Sequence, residues 1–375
     1  MIRVDYAGPG GTCEGLRMVG LGDRSVGIEW DVAACATRAA AGHLTIRADL
    51  ATYRPHHAPG SVEGYWASPP CQTFSSAGKG DGRDQIDALG LAILGEDWAA
   101  ADGFDSRTRH VLDAARTAVE LHPEWIGMEQ VPAVLPLWRA LAHVLERHGY
   151  STWAGVLCAA DYGVPQTRRR AILMASRVRC VQPPTPTHAE TPGLFGERPW
   201  VSMADALGWG FEDEPAANIC AGGTKTGGAE PFANAAYRER LRSYVLDRRQ
   251  TGAPVVGMGR PAPTLTAVGD AGVWCWRLPA TTVAGDPRIT ARSHHDEGSQ
   301  GANAISTAEV AAGADPEDRP IRPTVADATA LQSFPADYPW QGTKSKQFEQ
   351  IGNAVPPLMA AHVVAALTGR EVVPS

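Results

Sequence analysis

Apolar positions in the first half of the chain switch between two periods. Short runs with strand character, "IRVDYAG" from Ile2, "SVGIEWD" from Ser25 and "EGYWASPP" from Glu63, each end in glycine, aspartate or proline. Between and after them come stretches with helical spacing. "TRHVLDAARTAVELH" puts Val111, Leu112, Ala115 and Val119 on one face, and "LPLWRALAHVLERHGY" reads as an amphipathic helix closed by Gly149. "PEWIGMEQVPAV" reads as a strand running into a turn. Strands alternating with helices at this spacing predict an α/β unit whose mostly parallel sheet is covered on both faces.

From about Val181 the pattern dissolves. "QPPTPTHAETPGLFGERPW" is rich in proline, and the next hundred or so residues carry Gly, Thr and Pro with short β-like runs and no long helical period. Helical spacing returns at "TVADATALQSF" and "PPLMAAHVVAALTG". The chain therefore divides into a discontinuous larger unit, residues 1–180 with 345–375, and a smaller irregular β-rich unit over 181–344. "PAPTLTAVGD" and "PATTVAGD" are alike, but two short copies make no repeat architecture.

Composition sharpens this picture in three places. No apolar run is long enough to span a bilayer and the first residues lack a signal-peptide core, so a cytoplasmic protein with no membrane partner is expected. Seven cysteines (13, 35, 71, 158, 180, 220 and 275) are widely spaced without a CxxC pair, which argues against a disulfide framework or a structural zinc site; no metal is expected. Net charge is −7, but residues 161–300 hold 16 Lys and Arg against 14 Asp and Glu, and the remainder 18 against 27. All but one of those middle cations are arginines, an asymmetry that permits one domain facing phosphate and one facing solvent.

Candidate chemistry sits at the strand ends. "DYAGPGGTCEGL" follows the first β-run and opens a helix, where glycines let the backbone approach a ligand and the helix N-terminus favours an anion. Glu29 and Asp49 follow at βαβ spacing, each placed to accept hydrogen bonds from ribose hydroxyls or an adenine amine. That combination fits an adenosine-containing cofactor, NAD and S-adenosylmethionine alike. Cys71 lies between Pro69-Pro70 and the small, polar stretch "QTFSSAGKGDGRD", a rigidly held thiol beneath a mobile loop. Glu129 ends a strand before Pro132, and "YGVPQTRRRAIL" sets Gln166, Arg168 and Arg170 on one side of an extended segment. A basic face beside a carboxylate can grip an anion or carbonyl while the acid exchanges a proton.

Taken in order, the glycine turn, Pro-Cys-Gln, Glu-x-Val, Gln-x-Arg-x-Arg, "LQSFPADY" and "GNAV" resemble the C5-cytosine DNA methyltransferase family of bacterial or phage type, across almost the whole chain. The resemblance implies a Rossmann-like S-adenosylmethionine-dependent methyltransferase domain, with the variable stretch from about Val181 to Pro320 as target-recognition region. It implies Gly8, Gly10 and Gly11 under the methionine part of S-adenosylmethionine, with Tyr6 where the family usually has Phe. Glu29 would hold the ribose, Trp30 would pack on the adenine and Asp49 would meet its amine, while Pro70, Asn353 and Val355 complete the pocket. Cys71 would be the nucleophile, Glu129 the contact to the cytosine ring nitrogen and amine, Arg170 the contact to its carbonyl oxygen, and Arg168 the support of the cysteine loop.

The implied partner is double-stranded DNA, met by Gln72, Ser75, Lys79, Arg83 and Gln166. In the variable region the resemblance points to Thr264-Leu265, with Thr282 in "PATTVAGD" competing, and to Arg288 and Arg292. A monomer, with a separate cognate restriction endonuclease, fits the same reading. Three departures stand out: Gln130 replaces the family's Asn, His110 a leucine near the adenine, and Asp327 a glutamate.

These residue types suit the reaction. Carbon 5 of cytosine is a poor nucleophile; thiolate attack at carbon 6 breaks the aromaticity and sends electron density to carbon 5. The base must leave the stack first, at a cost of roughly a few kcal/mol. An RNA methyltransferase of the same fold, an inactive sequence-specific DNA-binding protein and a nicotinamide-dependent oxidoreductase are the competing readings. The last leaves Pro-Cys-Gln unexplained.

Overall fold

The computed structural model describes residues 1–53, 61–70, 73–74, 84–193, 196–207, 305–306, 321–322 and 324–373. Its centre is a seven-stranded sheet: β1 (Ile2–Asp5), β2 (Ser25–Glu29), β3 (Thr45–Arg47), β4 (Gly64–Ala67), β5 (Trp125–Gln130), β6 (Ser151–Cys158) and β7 (Arg169–Ser176), in spatial order 3-2-1-4-5-7-6. β3 through β5 are parallel, and β7 runs antiparallel between β5 and β6. The helices are α1 (Gly11–Met18), α2 (Val32–Ala40), α3 (Ile86–Leu94), α4 (His110–Leu121), α5 (Leu135–Arg147), α6 (Val325–Leu331), α7 (Lys344–Asn353) and α8 (Pro357–Thr368).

Strand periodicity sorts side chains onto two faces. Ile2, Val4, Trp66, Trp125, Ile172 and Met174 pack with α1 and α8, while Tyr65, Ala67, Ile126, Met128, Ala171, Leu173 and Ala175 pack with α3, α4 and α5. Arg3 and Asp5 point to the second face. They are fully buried there as a two-pronged ion pair of 2.7 and 3.0 Å, with the Tyr65 hydroxyl donating to Asp5 at 3.1 Å. Burial, outweighing Arg3, raises the Asp5 carboxyl above its ordinary range.

The strand order reverses at β1, with β2 and β3 to one side and β4 and β5 to the other. An open α/β sheet places its ligand crevice outside the carboxyl ends of the strands at such a point. Asp5 pairs with Ile28 and Ala67, and Ala67 with Met128, so the ends of β1, β2, β4 and β5 share this edge.

One expectation changes. Residues 332–341, assigned from the sequence to the smaller unit, pack on the larger one. Tyr338 donates to the Pro9 carbonyl at 2.6 Å, Gln341 N donates to Thr37 at 2.9 Å, and Phe334, Tyr338 and Trp340 cluster against Ala354 and Ala41. Proline and glycine punctuation misled there, because an irregular segment can still carry core aromatics. Lys344–Thr368 is a long apolar stretch, its most apolar part having a mean hydropathy of 1.4. It is two helices broken at Ala354, Val355 and Pro356, and 67% of that apolar part is buried within the fold.

Candidate active site

The glycine turn is built by backbone geometry. Tyr6 and Gly8 have φ of 54° and 52°, and Gly10 reaches 117° before α1 begins. Only Gly8 opens onto space, with nothing within 4 Å of a Cβ built there. At Gly10 such a Cβ would lie 2.6 Å from the Tyr338 hydroxyl and at Gly11 2.0 Å from the Val355 carbonyl oxygen, so those glycines serve close packing beneath the turn. Val355 thus backs the turn, and Asn353 is exposed at the end of α7.

Glu29, at the end of β2, holds the turn from the other side. Its Oε2 accepts from Gly8 N at 2.8 Å, and its Oε1 accepts from Trp30 N and Asp31 N at 2.8 Å each. A carboxylate has about four acceptor directions, and these backbone donors take three of them. Trp30 is 72% exposed. Asp49 is exposed beyond β3, where its Oδ1 accepts from Ala51 N at 2.9 Å.

The second half of the site lies at the ends of β4, β5 and β7. Glu129 and Arg170 are diagonal neighbours on the same sheet face, because Glu129 pairs with Ile172 in the antiparallel register. Arg170 Nε meets Glu129 Oε1 at 2.8 Å with both side chains 9% exposed, and its Nη1 donates to the Arg169 carbonyl at 2.7 Å. Gln130, on the opposite face, is buried. Its amide nitrogen donates to both the Pro69 and Pro70 carbonyls at 2.9 Å, and its oxygen accepts from Val131 N. The methylene by which Gln exceeds Asn lets one side chain hold two successive proline carbonyls. Phe74 is buried in the core on the α3–α5 side.

Gln166 and Arg168 both bond to residues late in the chain. Gln166 is fully buried, donating to the Leu331 carbonyl at 3.3 Å and to Gln332. Arg168 donates to the Gly352 carbonyl at 3.0 Å, which ties it to the last turn of α7. Gln332, also fully buried, donates to the Ala354 carbonyl at 2.8 Å. The carbonyls on either side of Asn353 are therefore held from the residue just before β7 and the residue just after α6. Gln332 was not singled out in the sequence; its only signal was the "LQ" pair following a helical run.

Cys71, Gln72, Ser75, Lys79, Arg83, Thr264, Leu265, Thr282, Arg288 and Arg292 lie outside the described residues. A separate open cavity of about 440 Å³, lined by Glu96, Trp98, Asp102, Arg109, Asp113 and Arg116 among others, holds none of the sequence-predicted residues.

A family model described as C-5 cytosine-specific DNA methylase matches residues 6–193 and 244–369. Among curated proteins, Type II methyltransferase M.HgiDI of Herpetosiphon aurantiacus is 26% identical over 316 residues, spanning 83% of this chain and 74% of its own. Type II methyltransferase M.XorII of Xanthomonas oryzae is 29% identical over 313 residues, spanning 78% of this chain and 65% of its own. Among solved structures, the S. pombe Dnmt2 methyltransferase superposes with a TM-score of 0.55 at 13% identity, covering 98% of both chains. A putative DNA modification methyltransferase encoded within an E. coli prophage gives 0.51 at 17%, again over 98% of both. At those identities the likeness speaks for the fold.

Proposed function

The chain belongs to the C-5 cytosine-specific DNA methylase family and is a DNA cytosine-5 methyltransferase of the type II restriction–modification kind; on that premise we propose that it methylates a flipped-out cytosine in duplex DNA, with S-adenosylmethionine as donor and a transient covalent bond through Cys71. The observation that carries this reading is the sequestered Glu129–Arg170 pair at 2.8 Å, one strand away from the Pro69-Pro70 carbonyls that Gln130 clamps just before residue 71.

The residues present suit the donor. Gly8 leaves open space, Glu29 keeps an acceptor direction, and the Trp30 ring is exposed at the same edge. S-adenosylmethionine supplies an activated methyl group when bound. Glu29 would take its ribose, Trp30 its adenine and Asp49 the adenine amine, with Tyr6, Pro70, Asn353 and Val355 closing the pocket.

On the cytosine side, the Cys71 thiolate adds to carbon 6, forming a sulfur–carbon bond and pushing electron density to carbon 5. Glu129 supports that density by hydrogen bonding or protonating ring nitrogen 3, while Arg170 holds both Glu129 and the base carbonyl oxygen. After methylation, loss of the carbon 5 proton breaks the sulfur–carbon bond. The loop after Cys71, with Lys79 and Arg83, would close over the DNA and reach phosphates. Target recognition would rest on the region 181–323, with the larger unit taking in 324–343 because those residues pack on it. By the same reading the enzyme acts as a monomer, and a separate endonuclease cuts the unmodified sequence.

The test uses labelled S-adenosylmethionine with duplex DNA or tRNA, and Cys71→Ala as control. Label in DNA that depends on Cys71, and covalent capture on oligonucleotides carrying 5-fluorocytosine at the target, are expected. Label entering tRNA only, or undiminished transfer by Cys71→Ala, overturns the reading.

A further inference from the structure

The chain enters the region 181–323 beside the turn that precedes Arg168 and Arg170. Two short strands there, β8 (His188–Ala189) and β9 (Arg198–Pro199), pair as a parallel ribbon. Arg198 N donates to the Thr187 carbonyl at 3.0 Å and Trp200 N to the Ala189 carbonyl at 3.1 Å. The ribbon hangs on the helical turn Ala159–Tyr162 that follows β6. Thr187 N donates to the Asp161 carbonyl at 2.9 Å, and the Trp200 indole Nε1 donates to Asp161 Oδ1 at 3.0 Å. The Tyr162 hydroxyl adds a bond to the Pro184 carbonyl at 3.0 Å. Asp161 therefore grips the ribbon twice, by its carbonyl just before β8 and by its carboxylate just after β9.

The same turn leads to the site. Ala159 N donates to the Arg168 carbonyl at 2.9 Å, closing a loop over 159–168 that carries Gln166 and runs into Arg170 on β7. Gly163 within it has φ 83°, and a Cβ there would lie 2.8 Å from His188 Cε1, so the ribbon seats directly on the loop. Beyond the ribbon, Ala206 and Leu207 pack with Ala328 and Leu331 of α6, next to Gln332, which receives the Gln166 bond. The region thus leaves the larger unit and rejoins it around one loop, and that loop leads into Arg168 and Arg170.

An indole N–H only donates and an ionised carboxylate only accepts, so Trp200 and Asp161 are matched, and a charged acceptor makes the stronger kind of bond. Burial raises the Asp161 carboxyl above its ordinary value, against the pull of the Trp200 bond and the Arg169 charge. Both side chains are half-buried, so water can replace a lost partner and breaking the bond strands no charge. Contacts to base edges need their reader in one register with the catalytic loop, whereas attraction to phosphates does not depend on sequence. We propose that Asp161 and Trp200 are positioning residues whose bond latches the entry of the recognition region in fixed register to the loop carrying Gln166, Arg168 and Arg170. This rests on the reading of 181–323 as the target-recognition region.

The test uses the full chain with Asp161→Ala, Asp161→Asn, Trp200→Phe and the double variant Asp161→Ala with Trp200→Phe. The substrates are the duplex sequence that bisulfite sequencing finds modified in expressing cells, and the same duplex changed at one base pair. Without the latch the aligned arrangement is a smaller fraction of the population, and apparent affinity falls by that fraction. Trp200→Phe keeps the ring and loses the N–H. It should raise KM for the cognate duplex about 3- to 10-fold and leave kcat and S-adenosylhomocysteine binding within about twofold. Its preference for the cognate over the altered duplex should fall by a similar factor. Asp161→Ala should match it, and the double variant should be no worse than either single one, as for groups in contact. Asp161→Asn, which keeps an acceptor at Oδ1, should stay within about threefold of the parent. Multiplying losses in the double variant, a loss borne by kcat or S-adenosylhomocysteine binding, or a Trp200→Phe enzyme that discriminates like the parent overturns the latch alone. A parent that marks no sequence, or methylates both duplexes equally, overturns the reading of the region and the latch with it. Should a variant melt early, Asp161→Asn and the double-variant comparison still decide the matter.

Discussion

Replacing Gln130 by alanine removes a clamp of three hydrogen bonds: two to the Pro69 and Pro70 carbonyls at 2.9 Å and one from Val131 N. Gln130 is only 2% exposed, so water cannot readily take over these groups. At roughly 1 kcal/mol net per bond the loss is about 3 kcal/mol, with the stranded carbonyls setting the upper end. Gln130→Met fills nearly the same volume without the amide, so it should lose about as much, which separates hydrogen bonding from packing. Gln130→Asn, one methylene shorter, should hold one proline carbonyl and lose about 1–2 kcal/mol. Urea unfolding followed by tryptophan fluorescence measures the loss. Turnover on duplex DNA should fall about tenfold for each 1.4 kcal/mol that the loosened Pro-Pro segment costs in placing residue 71. A Gln130→Met protein as stable and as active as the parent would refute the reasoning.

Other outcomes follow from the same geometry. Glu129→Gln leaves the Arg170 guanidinium buried without its counter-charge and should cost about 3 kcal/mol of stability and at least a hundredfold in methyl transfer, read by melting and by label incorporation. Gln332→Ala releases the Ala354 carbonyl and Gln166 together, and should raise the donor KM about tenfold while KM for DNA moves little. Gly11→Ala drives a Cβ against the Val355 carbonyl, and a lower melting temperature with weakened S-adenosylhomocysteine binding is expected in calorimetry. Burial, with His188 nearby, lowers the His362 pKa to about 4 from an ordinary 6.5. The unfolded chain then takes up this proton below about 6.5 while the folded one does not, so the contribution to stability is lost as pH falls from about 6.5 towards 4. After discounting for its partly solvated edge this is on the order of 2 kcal/mol, and His362→Gln should flatten that limb in urea titrations at successive pH values.

The sheet and its main helices were legible because period-two and helical spacing are local signals: Tyr65 and Ala67 against Trp66, or Val111, Leu112 and Ala115. The glycine turn and its two strand-end acids were legible for the same reason. What could not be read was partnership across the chain. Gln166 looks like a surface amide until Gln332 is found beside it, and Gln130 looks like an imperfect Asn until both proline carbonyls are found within its reach. Residues 332–341 read as part of the smaller unit, because their pattern gives no sign that Phe334, Tyr338 and Trp340 stack onto the start of the fold. Arg3 and Asp5 sit in a strand that reads as simple alternation, although burying both requires the two-pronged pairing that the structure provides.

The contact between Gly11 and Val355, and the α8 helix that covers Ile2, Val4 and Trp66, bear on how this protein is made. While the chain grows, the early strands can pair with one another, yet one side of their sheet waits for a cover synthesised hundreds of residues later. During that interval the nascent polypeptide shows water a broad greasy surface, an invitation to chaperones or to clumping. It also has no finished cradle for a methyl donor. Modification activity would thus switch on only as the last helix docks, so a prematurely terminated product is inert.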